Sequence, residues 1–179
     1  MNNNVSKPQF GTDGWRGIIG KDFNSFNCFL VTISLLKLSP GIKKIVIGYD
    51  TRAMSYEISK KIKEYLSIKG IDVILSSCPI PTPAVSFSVR NRDADFGIII
   101  TASHNSKIWN GIKIKNRYGQ SISESKANKL TEIISKEKID MEEFNKFNSI
   151  DINKNHLTDL LPDYINSIRK IIDVNKIKN

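Results

Sequence analysis

Three short apolar runs set the limits on this fold: Ile45-Val46-Ile47, Val73-Ile74-Leu75 and Ile98-Ile99-Ile100. Each is shorter than an ordinary helix and rich in β-branched residues, so each reads as a buried strand. Between them the apolar residues change to helical spacing. Phe26, Phe29, Leu30, Ile33 and Leu36 share one helical face before a stop at Pro40-Gly41, and Ile58, Ile62, Tyr65 and Leu66 form a second stripe that ends near Gly70. Thr82-Pro83 reads as a helix start, a capping hydroxyl followed by proline in the first turn. Strands that alternate with helices of this length pair in parallel through right-handed crossovers, which places the chain in the α/β class.

Later segments continue the pattern less clearly. Ile112-Lys113-Ile114-Lys115 alternates like a strand, and its lysines alone would fit a wet face. Ser121-Ile122-Ser123-Glu124 fits a capping box before the helical stripe Ala127, Leu130 and Ile134. Residues 137–158 are polar and charged and read as a connection with weak structure. Leu161, Tyr164, Ile165, Ile168 and Ile172 form a last stripe, and the pattern fades after Asp173. The expected division is an α/β/α domain over 1–136, the polar connection over 137–158 and a helix over 159–179.

The chain has 179 residues, 40% of them apolar, which suits one ordinary domain with a real core. No apolar run reaches the length of about 18 residues that a membrane span needs. The opening Met1-Asn2-Asn3-Asn4-Val5-Ser6-Lys7-Pro8 lacks the layout of a secretory signal. Cys28 and Cys78 lie far apart in apolar surroundings and read as buried reduced thiols of a cytoplasmic protein. The net charge of +9 comes from scattered lysines. Without a platform of aromatic and basic residues or a recognition helix, it does not support nucleic-acid binding.

Ligands of a parallel sheet collect beyond the carboxyl ends of its strands. Three loops belong there: Tyr49-Asp50-Thr51-Arg52, Pro79-Ile80-Pro81-Thr82-Pro83 and Thr101-Ala102-Ser103-His104-Asn105. The glycine-rich turn Gly11-Thr12-Asp13-Gly14-Trp15-Arg16-Gly17 adds a further arginine. A hydroxyl, a histidine and two arginines then converge, a set suited to phosphate through bidentate guanidinium contacts and a positioned oxygen. His156 reads as an exposed linker residue, Trp109 as a packing aromatic at the loop base, and Arg52 as a brace that pairs with Asp50 or holds the loops.

Taken together these segments resemble the α-D-phosphohexomutase family, in particular its phosphoglucomutase and phosphomannomutase members. Phe10-Gly11-Thr12-Asp13-Gly14-Trp15-Arg16-Gly17 is similar to the family's opening motif, Gly48-Tyr49-Asp50-Thr51-Arg52 to the second and Pro81-Thr82-Pro83-Ala84-Val85 to the third. Thr101 to Lys113 is similar to the phosphoserine loop, and the resemblance covers residues 8 to 120 in order. It implies a three-layer α/β/α domain with a mostly parallel mixed sheet. It implies that Ser103 bears a transferable phosphate, moved between the 1 and 6 positions of a hexose phosphate through a bisphosphate intermediate, with glucose 1,6-bisphosphate as activator. His104, Lys113 and Arg16 resemble family residues close to the reacting oxygens, while Thr12, Asn105, Arg16 and Lys113 are expected to contact substrate or phosphate, with Asp50 and Arg52 in support. The general base stays open. A phosphoserine is nearly a dianion, so an incoming oxygen nucleophile needs cations around the phosphoryl group. Arg16 and Lys113 supply part of that shield, and in the family a Mg²⁺ ion held by the phosphoserine and an aspartate-rich loop supplies the rest.

The chain departs from the family in several places. Arg92-Asp93-Ala94-Asp95 has only a superficial likeness to the aspartate loop and reads as a surface helix end. The sugar-recognition and distal phosphate-clamping loops are missing, and Ser106 stands where the family usually has proline. Four-domain relatives make this chain look like the first domain plus a connecting helix, so it is expected to be incomplete alone and to need the remaining mutase domains or a complementary chain. An exposed docking face then favours self-association. The alternative is a non-catalytic phosphosugar-binding or regulatory module derived from the same domain. Trp15 and Thr101 lean away from the phosphoglucosamine mutase branch.

Overall fold

A computed structural model describes residues 6–152, 156–172 and 177. A five-stranded sheet at its centre comprises β1 (Trp15–Ile18), β2 (Lys44–Tyr49), β3 (Asp72–Leu75), β4 (Phe96–Ile100) and β5 (Trp109–Asn116), in the spatial order β1-β5-β4-β2-β3. β2 pairs in parallel with both β3 and β4, whereas β5 is antiparallel to β4 and to β1. Four strands therefore run one way and β5 alone runs back, which is the mostly parallel mixed sheet expected.

Helices cover both faces. α1 (Ser25–Leu38), α2 (Ser55–Ile68), α4 (Glu124–Lys136) and α5 (Met141–Asn148) lie on one side, and α3 (Thr82–Asn91) with α6 (Leu161–Arg169) on the other. The pleat sorts the strand residues between two cores. Ile45, Ile47, Ile98, Ile100, Ile112 and Ile114 join Phe29, Ile62 and Leu130 in the larger one. Val46 and Ile99 join Val85 and Val89 of α3 in the smaller. Gly48 and Gly97 let α3 lie close on the sheet, since a Cβ at either would sit 2.3 Å from Val85 Cγ2 or 2.6 Å from Val89 Cγ2.

Local chemistry explains the helix ends. Asn24 Oδ1 accepts from Asn27 N at 2.9 Å and caps α1. Gly70, at φ 82°, takes the left-handed turn that ends α2. Two expected caps shift. Thr82 already lies inside α3, with Pro81 at the cap position, because the proline at 83 suits either early helical position. Ser123, not Ser121, caps α4 by accepting from Lys126 N, while Ser121 Oγ accepts from Lys115 Nζ at 3.0 Å.

Other expectations are corrected. β3 is an edge strand and only Leu75 of it is buried. That edge is covered in part by Thr158, whose N–H donates to Leu75 O at 2.9 Å and whose carbonyl accepts from Ser77 N at 2.9 Å. The segment read as a weakly structured connection holds α5. Asp140 caps it by accepting from Glu142 N at 2.9 Å. Its Phe147 is fully buried, with ring centroids 5.0 Å from Phe29 and 5.8 Å from Tyr65. Half-buried Phe144 adds contacts with ring centroids 5.3 Å from Phe26 and 5.8 Å from Phe29, so two aromatic residues seat a helix whose other residues are mostly polar. Arg92–Asp95 is, as read, the end of a helix, with Arg92 as the C-cap of α3, and Asp95 Oδ2 accepts from Lys43 N and Lys44 N at 2.8 and 3.0 Å. Cys28 is buried but Cys78 is only half-buried. The fading of the pattern expected after Asp173 falls outside the described residues, apart from Ile177.

Candidate active site

The loop between β4 and β5 begins where the apolar strand runs out. Thr101 N donates to Gly111 O at 2.9 Å, so the antiparallel ladder closes the loop at its base. The Thr101 hydroxyl accepts from Ser103 N at 2.9 Å, a local turn that side-chain oxygens of this type favour. Ser103 then stands exposed just past the tip of β4, at φ 57°. A non-glycine residue in that left-handed region costs about 1 kcal/mol or more and must be held by its surroundings.

Arg52 does the holding. Its Nη1 donates to Ser106 O at 2.7 Å and Trp109 O at 3.0 Å. Its Nη2 donates to Ser103 O at 2.8 Å and Asn105 O at 2.6 Å. Nε completes the set with Asp50 Oδ2 at 3.1 Å. Asp50 Oδ1 also accepts from Arg52 N at 3.0 Å and from Ser55 Oγ at 2.8 Å. Buried Asn110 links this network to the start of β5 by donating to Ala53 O and Ser55 Oγ, both at 2.9 Å. Arg52 thus bonds both to Asp50 and to the backbone of the loop. Nothing in the residue types around Ser55 and Asn110 marked them beforehand; Ser55 acts on Asp50 locally, and the part of Asn110 depends on the position of β5.

Ser103 lines a hollow of about 610 Å³ together with Asp50, Thr51, Arg52, Ala53 and Lys107. Lys107 brings a cation to this hollow that the sequence reading did not single out. His104 is exposed, and Asn105 is half-buried with a buried Oδ1 that has no hydrogen-bond partner among the described residues.

A second cluster forms where β1 meets β5. Arg16 pairs opposite Gly111, one residue from the base of the Ser103 loop, so it lies on the same rim of the sheet. There is no room for a side chain at Gly111, where a Cβ would fall 2.2 Å from Trp15 O. Gly14, at φ 96°, turns the chain into β1, and a short bridge ties Gly11 to Gly14 through two 3.1 Å backbone bonds. That turn delivers Asp13. Its Oδ2 accepts from Arg16 Nη2 at 2.6 Å, and its two carboxylate oxygens accept from Lys113 Nζ at 2.8 and 3.0 Å. Lys113 is buried, so strand alternation does not place it in open water as it would on a wet face. Burial pushes the Asp13 carboxyl up, but the hydrogen bond and charge of Lys113, with Arg16 and Lys115, outweigh this and hold it below its usual pKa of 3.8. Lys115 on the same face is pulled down from its ordinary value by burial and by the charge of Lys113. Thr12 is exposed in the turn. Asp13 belongs to the glycine-rich motif, but the motif alone does not say that its carboxylate bridges two cations.

The structure therefore brings Arg16 and Lys113 together through Asp13, and Ser103, Asp50 and Arg52 together around the hollow. Among the described residues, no hydrogen bond joins Ser103 Oγ to the Arg16–Asp13–Lys113 cluster. The described residues also contain no group of three or more His, Cys, Asp or Glu side chains that would hold a metal ion. The residues present do not fit a Mg²⁺ cage by themselves.

Residues 7–141 match the family described as phosphoglucomutase/phosphomannomutase, alpha/beta/alpha domain I. The chain belongs to this family. Among curated relatives of this phosphoglucomutase/phosphomannomutase domain, a phosphoglucosamine mutase of Campylobacter jejuni subsp. jejuni (strain 81-176) is 35% identical over 169 residues, covering 89% of this chain and 36% of its own length. A phosphoglucosamine mutase of Sulfurovum sp. (strain NBC37-1) is 37% identical over 129 residues, 70% of this chain and 29% of its own. The chain thus spans roughly a third of the length of the curated relatives it matches, 29% and 36% in these two cases. A crystal structure described as a putative phosphomannomutase from Thermus thermophilus superposes with a TM-score of 0.76 at 26% identity, over 96% of this chain and 37% of that one. The names of the curated relatives run against the lean away from the phosphoglucosamine branch. Trp15 is buried and stacks on Phe23 at 5.8 Å, and Thr101 is buried under the loop. No described helix is long and apolar enough to cross a membrane.

Proposed function

We propose that this domain supplies the phosphate-carrying serine of a phosphohexomutase and that Ser103 is that serine. The observation that carries the reading is the exposed hydroxyl at the tip of β4, set at a left-handed φ of 57° beneath a fully engaged arginine and open to a hollow. A nucleophile held on rigid strands by a satisfied network loses little freedom when it reacts.

In the forward half-reaction a hydroxyl of the sugar phosphate attacks the phosphoryl group on Ser103. The new sugar O–P bond forms as the Ser103 Oγ–P bond breaks, and the hydroxyl proton leaves to a base. In the return half-reaction Ser103 Oγ takes the other phosphate from the bisphosphate, and the net result is an isomerised sugar phosphate. Arg16 and Lys113 offer guanidinium and ammonium donors to the phosphoryl oxygens, where charge shielding lowers the barrier most. His104 and Lys107 stand on the same loop, and Asn105 and Thr12 are polar groups within reach of the rim. No step is assigned to Mg²⁺ in this chain; its remaining ligands, and the sugar site, belong to the two thirds of the relatives that this chain does not span. The names of the relatives favour a glucosamine phosphate as the sugar, and the free thiols of Cys28 and Cys78 fit a cytoplasmic protein.

The test is reconstitution with the remaining domains of the Campylobacter jejuni relative, followed by incubation with the sugar bisphosphate and phosphopeptide mapping. Phosphate on Ser103 is the expected result, and phosphate on another residue overturns the assignment. Ser103→Ala should lower transfer by about 10⁴-fold or more while leaving the thermal midpoint of the domain nearly unchanged. A reconstituted protein that binds the sugar phosphate but never carries phosphate would favour the non-catalytic module.

A further inference from the structure

The cluster at β1 and β5 has a feature that shielding alone does not require. Two cations meant for a phosphate already hold a carboxylate, and it comes from the most exposed part of the site. The side chain of Asp13 is 60% exposed, against 27% for Arg16 and 10% for Lys113. Its backbone belongs to a glycine-flanked turn fastened by one small bridge between Gly11 and Gly14.

The fit between this carboxylate and the two cations is incomplete. Asp13 takes both of its contacts with Lys113 but reaches only Nη2 of Arg16. Arg16 Nε is buried and has no hydrogen-bond partner among the described residues. A buried N–H left unpaired costs about 1 kcal/mol or more, and such groups mark places where an absent partner belongs. A carboxylate has two oxygens and one charge. A phosphate monoester has three terminal oxygens and nearly two charges, enough for Lys113 Nζ and for both donors, Nε and Nη2, on the one side edge of Arg16.

We propose that Asp13 is a built-in counterion, seated on Arg16 and Lys113 when the site is empty and displaced when a phosphate takes its place. This deepens the reading of Arg16 and Lys113 as phosphate-shielding residues and rests on it. The exchange answers a problem of charge. Arg16, Lys113 and Lys115 lie on neighbouring strands, and Lys113 and Lys115 already repel each other there. Without an anion this half-buried region would carry three uncompensated cations. With Asp13 fixed in place it would repel the dianion it is built to receive. A carboxylate on a small exposed turn meets both demands, because it neutralises the empty site and swings toward water when a stronger anion arrives.

The experiment needs no catalysis. Uniformly labelled chain is titrated with inorganic phosphate, and NMR follows the Asp13 carboxyl carbon and the Arg16 Nε–H. In the wild type both signals should move together with one dissociation constant, the Asp13 carbon toward the value of a free aspartate. Asp13→Asn removes the competing charge and should tighten phosphate binding about fivefold. Asp13→Glu keeps the charge and should not tighten it. If Asp13→Asn does not fold, the wild-type signals decide by themselves. Phosphate binding that leaves the Asp13 carbon unmoved, tighter binding to neither variant, or no binding at Arg16 in any protein overturns the proposal. Failure to find phosphate on Ser103 after reconstitution would sink the proposed function without touching this result.

Discussion

Arg52 and Arg16 stand on the same rim of the sheet and carry the same guanidinium, yet their surroundings give them different work. All five N–H groups of the Arg52 side chain are engaged, four by carbonyls of the 103–109 loop and one by Asp50. Among the described residues Arg16 has one bond, to an exposed carboxylate, and a buried Nε without a partner. An arginine whose donors all end on its own backbone and a structural carboxylate is scaffold and has nothing left for a ligand. One with donors in reserve is free to receive an anion, the role proposed for Arg16. Residue type is the same in both, so only the bonding separates the two roles.

That comparison breaks or sharpens with substitutions. Arg52→Ala should have the largest effect on the fold, a loss of about 3 kcal/mol in urea unfolding, because it strands four loop carbonyls and the Asp50 carboxylate. Arg52→Lys should recover less than half of this, since an ammonium lacks the planar fork. A wild-type midpoint for Arg52→Ala would end the claim that it is scaffold. Arg16→Ala should change stability by no more than about 0.5 kcal/mol, as it pairs with an exposed carboxylate. A loss as large as that of Arg52→Ala would make Arg16 structural too.

The smallest effect is on acid stability. The folded-state pKa of Asp13 lies below its ordinary 3.8, so its ion pairs add stability above that value and lose it as pH falls through the lowered one. With the carboxylate more than half exposed, solvent screening keeps this contribution small. A carboxyl-carbon titration should place the Asp13 midpoint under 3.8 in the wild type and move it upward in Arg16→Ala. An unchanged midpoint would mean that Lys113 alone holds the charge.

The fold was legible wherever several residues voted together. β2 and β4 are continuous apolar runs buried on both faces, and the α2 stripe of Ile58, Ile62, Tyr65 and Leu66 is buried, so period and burial agreed there. α1 is instead buried all round from Asn27 to Leu35, and Phe26 and Leu36 of its expected stripe are only half-buried. α5 was hidden because its polar composition outweighs its two aromatic anchors, Phe144 and Phe147, whose partners Phe26, Phe29 and Tyr65 lie far away in sequence. The true cap of α4 was obscured because Ser121 and Ser123 both suit the role, and tertiary contact with Lys115 decides between them. In the site, Ser103, Arg16, Lys113 and Arg52 stood out as residue types in ordered motifs. Asn110 did not, since its hydrogen bonds to Ala53 and Ser55 exist only once β5 folds back beside β4. Asp13 was in plain view, but which cations a carboxylate bridges depends on strand pairing.

The left-handed backbone at Ser103 has a practical corollary for anyone who engineers this domain. Glycine or asparagine would sit there with less strain. A screen that rewards heat resistance alone will therefore tend to trade the hydroxyl away. If Ser103 carries the proposed phosphate, directed evolution of this scaffold needs a second pressure, on phosphate acceptance, to keep the chemistry along with the hardiness.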